Sequence, residues 1–289
     1  MMQDKVFLAI IALLLGSPTL WAGGWPQPKN GGFFKLSEWW VVSDQHFTDV
    51  GRIDPNTTTG VFTTSFYGEY GFTDRLTGIA YFPFFSRTYF NNTRSATTGE
   101  LLVEGEAINT VGDTDLGIRY GLIVDKPVVL SASLFLGLPL GEDSGGTAGN
   151  LQTGDGEFNQ LLRLDVGTSF RIGQADAYAT AYAGFNHRTQ GFSEELRYGL
   201  EGGLNLFDGK LLTILRLYGI KSLKNGELGN AITGTSLFVN NSEHLTFAPE
   251  VAYRLNDRWG ISAGFGTALY GQLIFASTSF TTGVFYQFR

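Results

Sequence analysis

The sequence predicts an all-β fold, a single antiparallel transmembrane β-barrel of twelve strands. Three observations carry this. Paired stretches of about a dozen residues, alternating apolar and polar and joined by short turns, recur five times, with longer polar segments between the pairs; outer-membrane barrels are built this way. The chain combines 39 glycines and 14% aromatic residues with only 16% charged residues, against roughly a quarter in soluble proteins. Its mean hydropathy is nonetheless near zero, +0.01. A barrel reconciles these values, because half of each strand meets lipid and half meets a polar lumen. No run of about 20 apolar residues follows the leader, so helical spans are not expected.

The leader comes first. Met1 to Lys5 form a short start with one lysine, Val6 to Leu15 an apolar stretch, and small residues lie at Ala22-Gly23. This is the layout of a secretory signal peptide over 1–22, with the barrel domain over 23–289. Leu20 at the −3 position leaves the cleavage site open by a residue or two.

The short turns are Thr73-Asp74-Arg75, Asp125-Lys126-Pro127, Gly173-Gln174-Ala175, Asp208-Gly209-Lys210 and Asn256-Asp257-Arg258. They divide the chain into strands near 32–43, 60–72, 76–87, 113–124, 128–140, 160–172, 176–187, 196–207, 211–223, 243–255, 259–271 and 276–288. An even number puts both termini on the periplasmic side. The longer segments, 44–59, 88–112, 141–159, 188–195, 224–242 and 272–275, become extracellular loops. Within 88–112 the apolar–acidic alternation from Leu101 to Ile108 suits extended strands or an extra hairpin, so fourteen strands is the alternative count.

The alternation assigns faces. In the sixth strand Leu162, Leu164, Val166, Thr168 and Phe170 share one side, and Arg163, Asp165, Ser169 and Arg171 share the other. Charges do not face acyl chains cheaply, so the second side is the lumen. Leu196, Tyr198 and Leu200 oppose Arg197 and Glu201 in the same way, and Val251 and Tyr253 oppose Glu250 and Arg254. A soluble β-sandwich has the reverse arrangement, with its apolar faces inside. Ten residues at about 3.4 Å each, tilted about 40°, rise roughly 26 Å, which suits an apolar band about 25 Å tall. Two places break the pattern. Glu38 shares a face with Phe34, Leu36 and Trp40. Pro83, inside Phe82-Pro83-Phe84-Phe85, removes a ladder donor, so a bulge or register change is expected there.

Two segments resemble a known family. Glu69-Tyr70-Gly71-Phe72-Thr73-Asp74-Arg75-Leu76 and Gly112-Asp113-Thr114-Asp115-Leu116-Gly117-Ile118-Arg119-Tyr120 resemble the outer-membrane proteins described as the MetA pathway of phenol degradation. The resemblance covers roughly the first half of the chain beyond the leader. It implies a transport barrel for small organic molecules, aromatic or hydrophobic ones among them, and brings no catalytic residues with it.

The candidate functional residues are the lumen charges Glu69, Asp115, Arg119, Arg163, Asp165, Arg171, Arg197, Glu201, Arg216, Glu250 and Arg254. Rings of charge set pore selectivity, and the same residues can equally brace the lumen as a salt-bridge network. Acids and bases are mixed, so strong ion selectivity does not follow. Phe33, Trp39, Trp40, Tyr81, Phe82, Phe84 and Phe85 could line an apolar path or form interface girdles. Of the three histidines, His46 lies near Asp44 and Asp49, His187 near Ser193, and His244 beside Glu243. Thr189 stands where an outer-membrane phospholipase would place serine, and solvated roles account for each histidine. No histidine group has metal-ligand spacing. The acidic pairs Asp113/Asp115 and Glu142/Asp143 lack an ordered calcium pattern. No cofactor or metal is expected. The absence of cysteine excludes a thiol nucleophile, and a net charge of −7 argues against nucleic-acid binding.

The expected function is a passive channel or transporter for small organic molecules in the outer membrane of a Gram-negative bacterium. Its expected partners are membrane lipid, the permeant and the barrel-assembly machinery, and no enzymatic activity is expected. Two other readings stand beside it: an enzyme acting on lipid or peptide at the extracellular rim, and a structural or surface-interaction barrel.

Overall fold

The computed structural model describes residues 23–228 and 237–289. The leader expected over 1–22 lies outside the described residues. Fifteen strands follow in chain order among them: β1 (Gly32–Phe47), β2 (Ile53–Gly71), β3 (Leu76–Phe90), β4 (Thr93–Arg94), β5 (Leu101–Val103), β6 (Glu106–Thr110), β7 (Thr114–Ile123), β8 (Val128–Leu138), β9 (Asn159–Ile172), β10 (Ala175–Arg188), β11 (Glu195–Leu206), β12 (Leu211–Ser222), β13 (Glu243–Arg254), β14 (Trp259–Gln272) and β15 (Ser279–Phe288). Each neighbouring pair is antiparallel. β1 pairs with both β2 and β15, which closes the ring.

The barrel has twelve staves. β6 and β7 make one of them in two pieces, since β3 pairs with β7 through Leu76–Tyr81 and with β6 through Ser86–Phe90. The short β4 and β5 pair only with each other, so the extra hairpin of the second loop stays out of the wall and fourteen staves are not formed. β1 and β2 run beyond their expected ends, which shortens the first extracellular loop to 48–52.

The break in β6/β7 has a local cause. Thr64 pairs with Phe85 and Phe66 with Phe82, so Pro83 and Phe84 together face Ser65 as a bulge. Pro83 has no N–H to give the ladder, and its carbonyl accepts from Gly112 N at 2.8 Å, inside the gap between β6 and β7. The periplasmic turn of β11–β12 is equally specific. Asp208 and Gly209 both take positive φ, 54° and 80°, and Lys210 N reaches Phe207 O at 3.1 Å, the geometry of a type I′ turn.

The outer face is apolar. Leu164, Leu200, Val251 and Val284 are all exposed on the faces assigned from the alternation. Stacked or tilted aromatic pairs mark both ends of the belt: Trp40–Phe280 toward the outside, and Phe34–Phe288 and Trp259–Tyr286 toward the periplasm.

Part of the lumen is filled by a segment without regular structure. Residues 23–27 run up inside the barrel along β3 and β7–β10. Ser131 Oγ donates to Gly24 O at 2.5 Å, Arg119 donates to Trp25 O at 3.2 Å, and Gln27 N donates to Thr77 Oγ1 at 2.8 Å. Trp25 is buried against Val129 and Tyr178, with Leu212 beside them. The chain leaves at the periplasmic rim, where Lys29 N donates to Asp74 Oδ1 at 2.9 Å.

Candidate functional site: the barrel lumen

Inward-facing residues of β1, β2 and β11–β15 border the space left beside the N-terminal segment. They line a cavity of about 920 Å³ that reaches the periplasmic turns around Asp208 and Asp257. One strip of its wall is charged. Arg216 donates to Glu201 at 2.5 Å and to Glu250 at 2.6 Å, and Lys35 adds a second cation to Glu250 at 2.6 Å. Tyr178 also donates to Glu201, at 2.6 Å. Another part is apolar. Phe33 stacks on Phe285 at 5.7 Å and meets Tyr67 at 6.3 Å, and Leu212 and Ile214 line the same space. The cavity therefore joins a hydrogen-bonding strip to an aromatic patch.

The eleven candidate charges divide by depth. Glu69 and Arg119 form a buried pair at 3.4 Å, with Gln27 and Tyr67 donating to the same carboxylate, so this pair holds the N-terminal segment. Arg163 pairs with Asp165 at 3.0 Å and lies between the rings of Phe135 and Tyr182. Arg197 pairs with Glu195 at 3.0 Å. Arg163, Arg197 and Asp115 border a second hollow of about 200 Å³ with Asn159, Asn186 and Tyr182. Glu201, Arg216 and Glu250 form the strip. The last two do not join these groups: Arg171 pairs with Asp176 at the β9–β10 turn, and Arg254 lies at the periplasmic mouth with no ion pair among the described residues. Arg163, Arg197 and Glu201 thus belong to three separate pairs.

The aromatic set divides in the same way. Phe33, Trp39 and Tyr81 stand on the inner face, with Trp39 packed on the Val41–Val61–Phe275 cluster. Trp40, Phe82, Phe84 and Phe85 face outward.

Several residues at the site carried no sequence signal. Lys35 meets Glu250 only because the barrel closes β1 onto β15. Arg188 anchors the extracellular end, bonding Asp155, Glu157 and Glu195 at 2.8–2.9 Å, and so ties the loop over 139–158 to β10 and β11. Asp113, which the sequence showed only as half of an acidic pair, fixes the near end of that loop by accepting from Gly141 N at 2.9 Å and Asp155 N at 2.8 Å. Burial pushes its carboxyl up to about 6, helped by the Asp155 charge and opposed by the two amide bonds.

The histidines sit apart. His187 pairs with Glu194 at 2.9 Å on an exposed rim, and His244 shares a hydrogen bond with Thr246. Thr189 donates to Glu157, and Ser193 Oγ accepts from Gly226 N, so neither hydroxyl is aimed at an imidazole. No group of three or more metal-ligating side chains occurs among the described residues.

Closed wall, apolar exterior and polar interior together decide the compartment. The chain is a bacterial outer-membrane barrel. No family model and no curated protein matches the sequence. Among solved structures, it is similar to the COG4313 outer membrane channel from Pseudomonas putida F1, with a TM-score of 0.57 and 14% identity over 91% of this chain and 97% of that one. It is also similar to the beta domain of the Bordetella autotransporter BrkA (TM-score 0.49, 16% identity, 90% of this chain and 100% of that one) and to the NanC porin (TM-score 0.47, 6% identity, 88% and 100%). Only the first aligns closely enough to establish a shared fold.

Proposed function

We propose that this barrel is a passive channel for small, partly hydrophobic organic molecules. The observation that carries the reading is the two-sided wall of the 920 Å³ cavity, where Lys35, Arg216, Glu201 and Glu250 face the same space as Phe33, Phe285, Leu212 and Ile214. Small-molecule sites combine apolar lining with a few placed polar groups in this way. The paired charges offer hydrogen bonds with little net field, which suits a neutral solute better than an ion. A phenol-sized molecule can rest its ring on Phe33 and Phe285 and its hydroxyl on the strip. The channel fold of the Pseudomonas protein agrees with this reading, as does the sequence resemblance to phenol-degradation barrels. On this reading the barrel performs no chemistry, and its partners are membrane lipid and the permeant.

Planar-bilayer recording of the full barrel tests the proposal. Discrete openings whose current falls when phenol is added are expected. A silent barrel that hydrolyses lipid or peptide would overturn it in favour of an enzyme at the rim.

A further inference from the structure

Glu38 stands in the outward row Phe34, Leu36, Glu38 and Trp40 of β1, where the alternation places lipid-facing side chains. Its cross-strand partners are Thr64 of β2 and Thr282 of β15, and Thr282 in turn faces Ala263 of β14. Three adjacent staves thus put polar side chains into the apolar belt at one level. Above that level Trp40 stacks on Phe280, and below it Leu36 is flanked by Phe66 and Val284.

The carboxylate is poorly satisfied. Thr64 donates to Glu38 Oε2 at 2.6 Å. The Thr282 hydroxyl turns instead to Ser262 O at 3.1 Å. No cation pairs with Glu38 among the described residues, whereas the lumen acids Glu69, Asp165, Glu201 and Glu250 all have one. An ionisable group facing acyl chains is costly and calls for a partner.

The surface is also concave there. Glu38, Thr64, Thr282 and Ala263 border a groove of about 540 Å³ with Leu36 and Tyr253, within the about 300–1,000 Å³ usual for small-ligand sites.

We propose that the groove binds a membrane-dissolved single-chain amphiphile whose head, an amine or an alcohol, donates a hydrogen bond to Glu38, while its alkyl chain lies across Leu36 and Tyr253. The ladder between β1 and β15 is continuous through this level, so the site is separate from the lumen and independent of what the pore carries.

The full barrel in lipid nanodiscs allows the test. Dicyclohexylcarbodiimide, an apolar reagent for carboxyl groups, should label Glu38, located by peptide mass spectrometry. Dodecylamine and 1-dodecanol should slow the labelling by roughly tenfold, the change that one well-formed hydrogen bond to a charged group can bring. Methyl dodecanoate, with a similar chain and an acceptor-only head, should not. In native mass spectrometry the wild type should retain dodecylamine, and Glu38→Leu, with folding checked by heat-modifiable migration, should lose it. Equal protection by the methyl ester, retention of the amine by Glu38→Leu, or a Glu38 that resists the reagent because it is covered by a second copy of the chain would each overturn the proposal.

Discussion

The Arg119 guanidinium, on β7, donates both to the main-chain carbonyl of Trp25 and to the carboxylate of Glu69. One buried cation therefore holds the N-terminal segment to the wall and leaves the opposite side of the lumen free. Tyr178 meets the Trp25 ring edge-on, with centroids 6.4 Å apart. It has room to do so because its cross-strand partner is Gly203, where a Cβ would lie 2.0 Å from the tyrosine ring.

Trp25→Ala removes the largest side chain of that cluster. Truncating a well-buried Trp costs about 3–5 kcal/mol, so the segment should loosen and single-channel conductance should rise. Gly203→Val should do the same by displacing Tyr178. Unchanged conductance in both variants would show that residues 23–27 do not limit the pore.

Arg216→Met removes the link between Glu201 and Glu250 and leaves Lys35 as the one cation paired in that strip. The Arg216 side chain is about a third exposed, so the loss should stay below the about 3–5 kcal/mol of a fully buried pair. Reversal potentials across a salt gradient should shift toward cation preference. A loss of stability with no such shift would make the strip a brace alone.

The docking of the 139–158 loop should depend on pH through Asp113. An acid whose folded pKa is raised from 3.8 to about 6 contributes its stability in the protonated form. That contribution is complete below the ordinary carboxyl range and is lost as pH rises through about 6. The charge that acts on it is Asp155, which ionised Asp113 repels and which Arg188 pairs from the other side. Hydrogen exchange in the loop, corrected for its intrinsic pH dependence, should show more protection at about pH 5 than at about pH 7.5. Asp113→Asn should flatten the difference, and an equally steep profile in that variant would place the sensitivity elsewhere.

The facing of β9 gives a test in one strand. Leu164 is 52% exposed on the lipid side, whereas Ser169 lies on the inner face opposite Tyr178. Leu164→Arg should cost roughly 2–4 kcal/mol near the midplane, and Ser169→Arg should fold normally. Equal heat-modifiable folding of the two would put the strand in the other register.

Alternation is a local property, and it was readable wherever a strand has one wet and one oily face. It gave the inward charges, the outward leucines, the out-of-place Glu38 and the bulge at Pro83. It reports a face and not a depth, so Arg171 and Arg254 share the inner face of Arg163 and Glu250 yet sit at the rim and the mouth. It also cannot show which staves meet when the ring closes, so the bond from Lys35 to Glu250 had no sequence signal. Gly23 to Gln27 have no periodicity, and they are held by single hydrogen bonds, donated by Arg119 and Ser131 to main-chain carbonyls and accepted by Thr77 from the Gln27 amide. The three partners of Arg188 come from a loop and a neighbouring stave.

Solute entry into proteoliposomes tests the channel reading most directly. Barrels of about this size with long side chains and a segment inside should admit single-ring aromatics and exclude longer oligosaccharides. The expected result is rapid entry of phenol-sized solutes, slowed by Phe285→Arg, with no entry of a hexasaccharide. Equal entry of both solutes, or entry of neither above protein-free liposomes, would contradict the account.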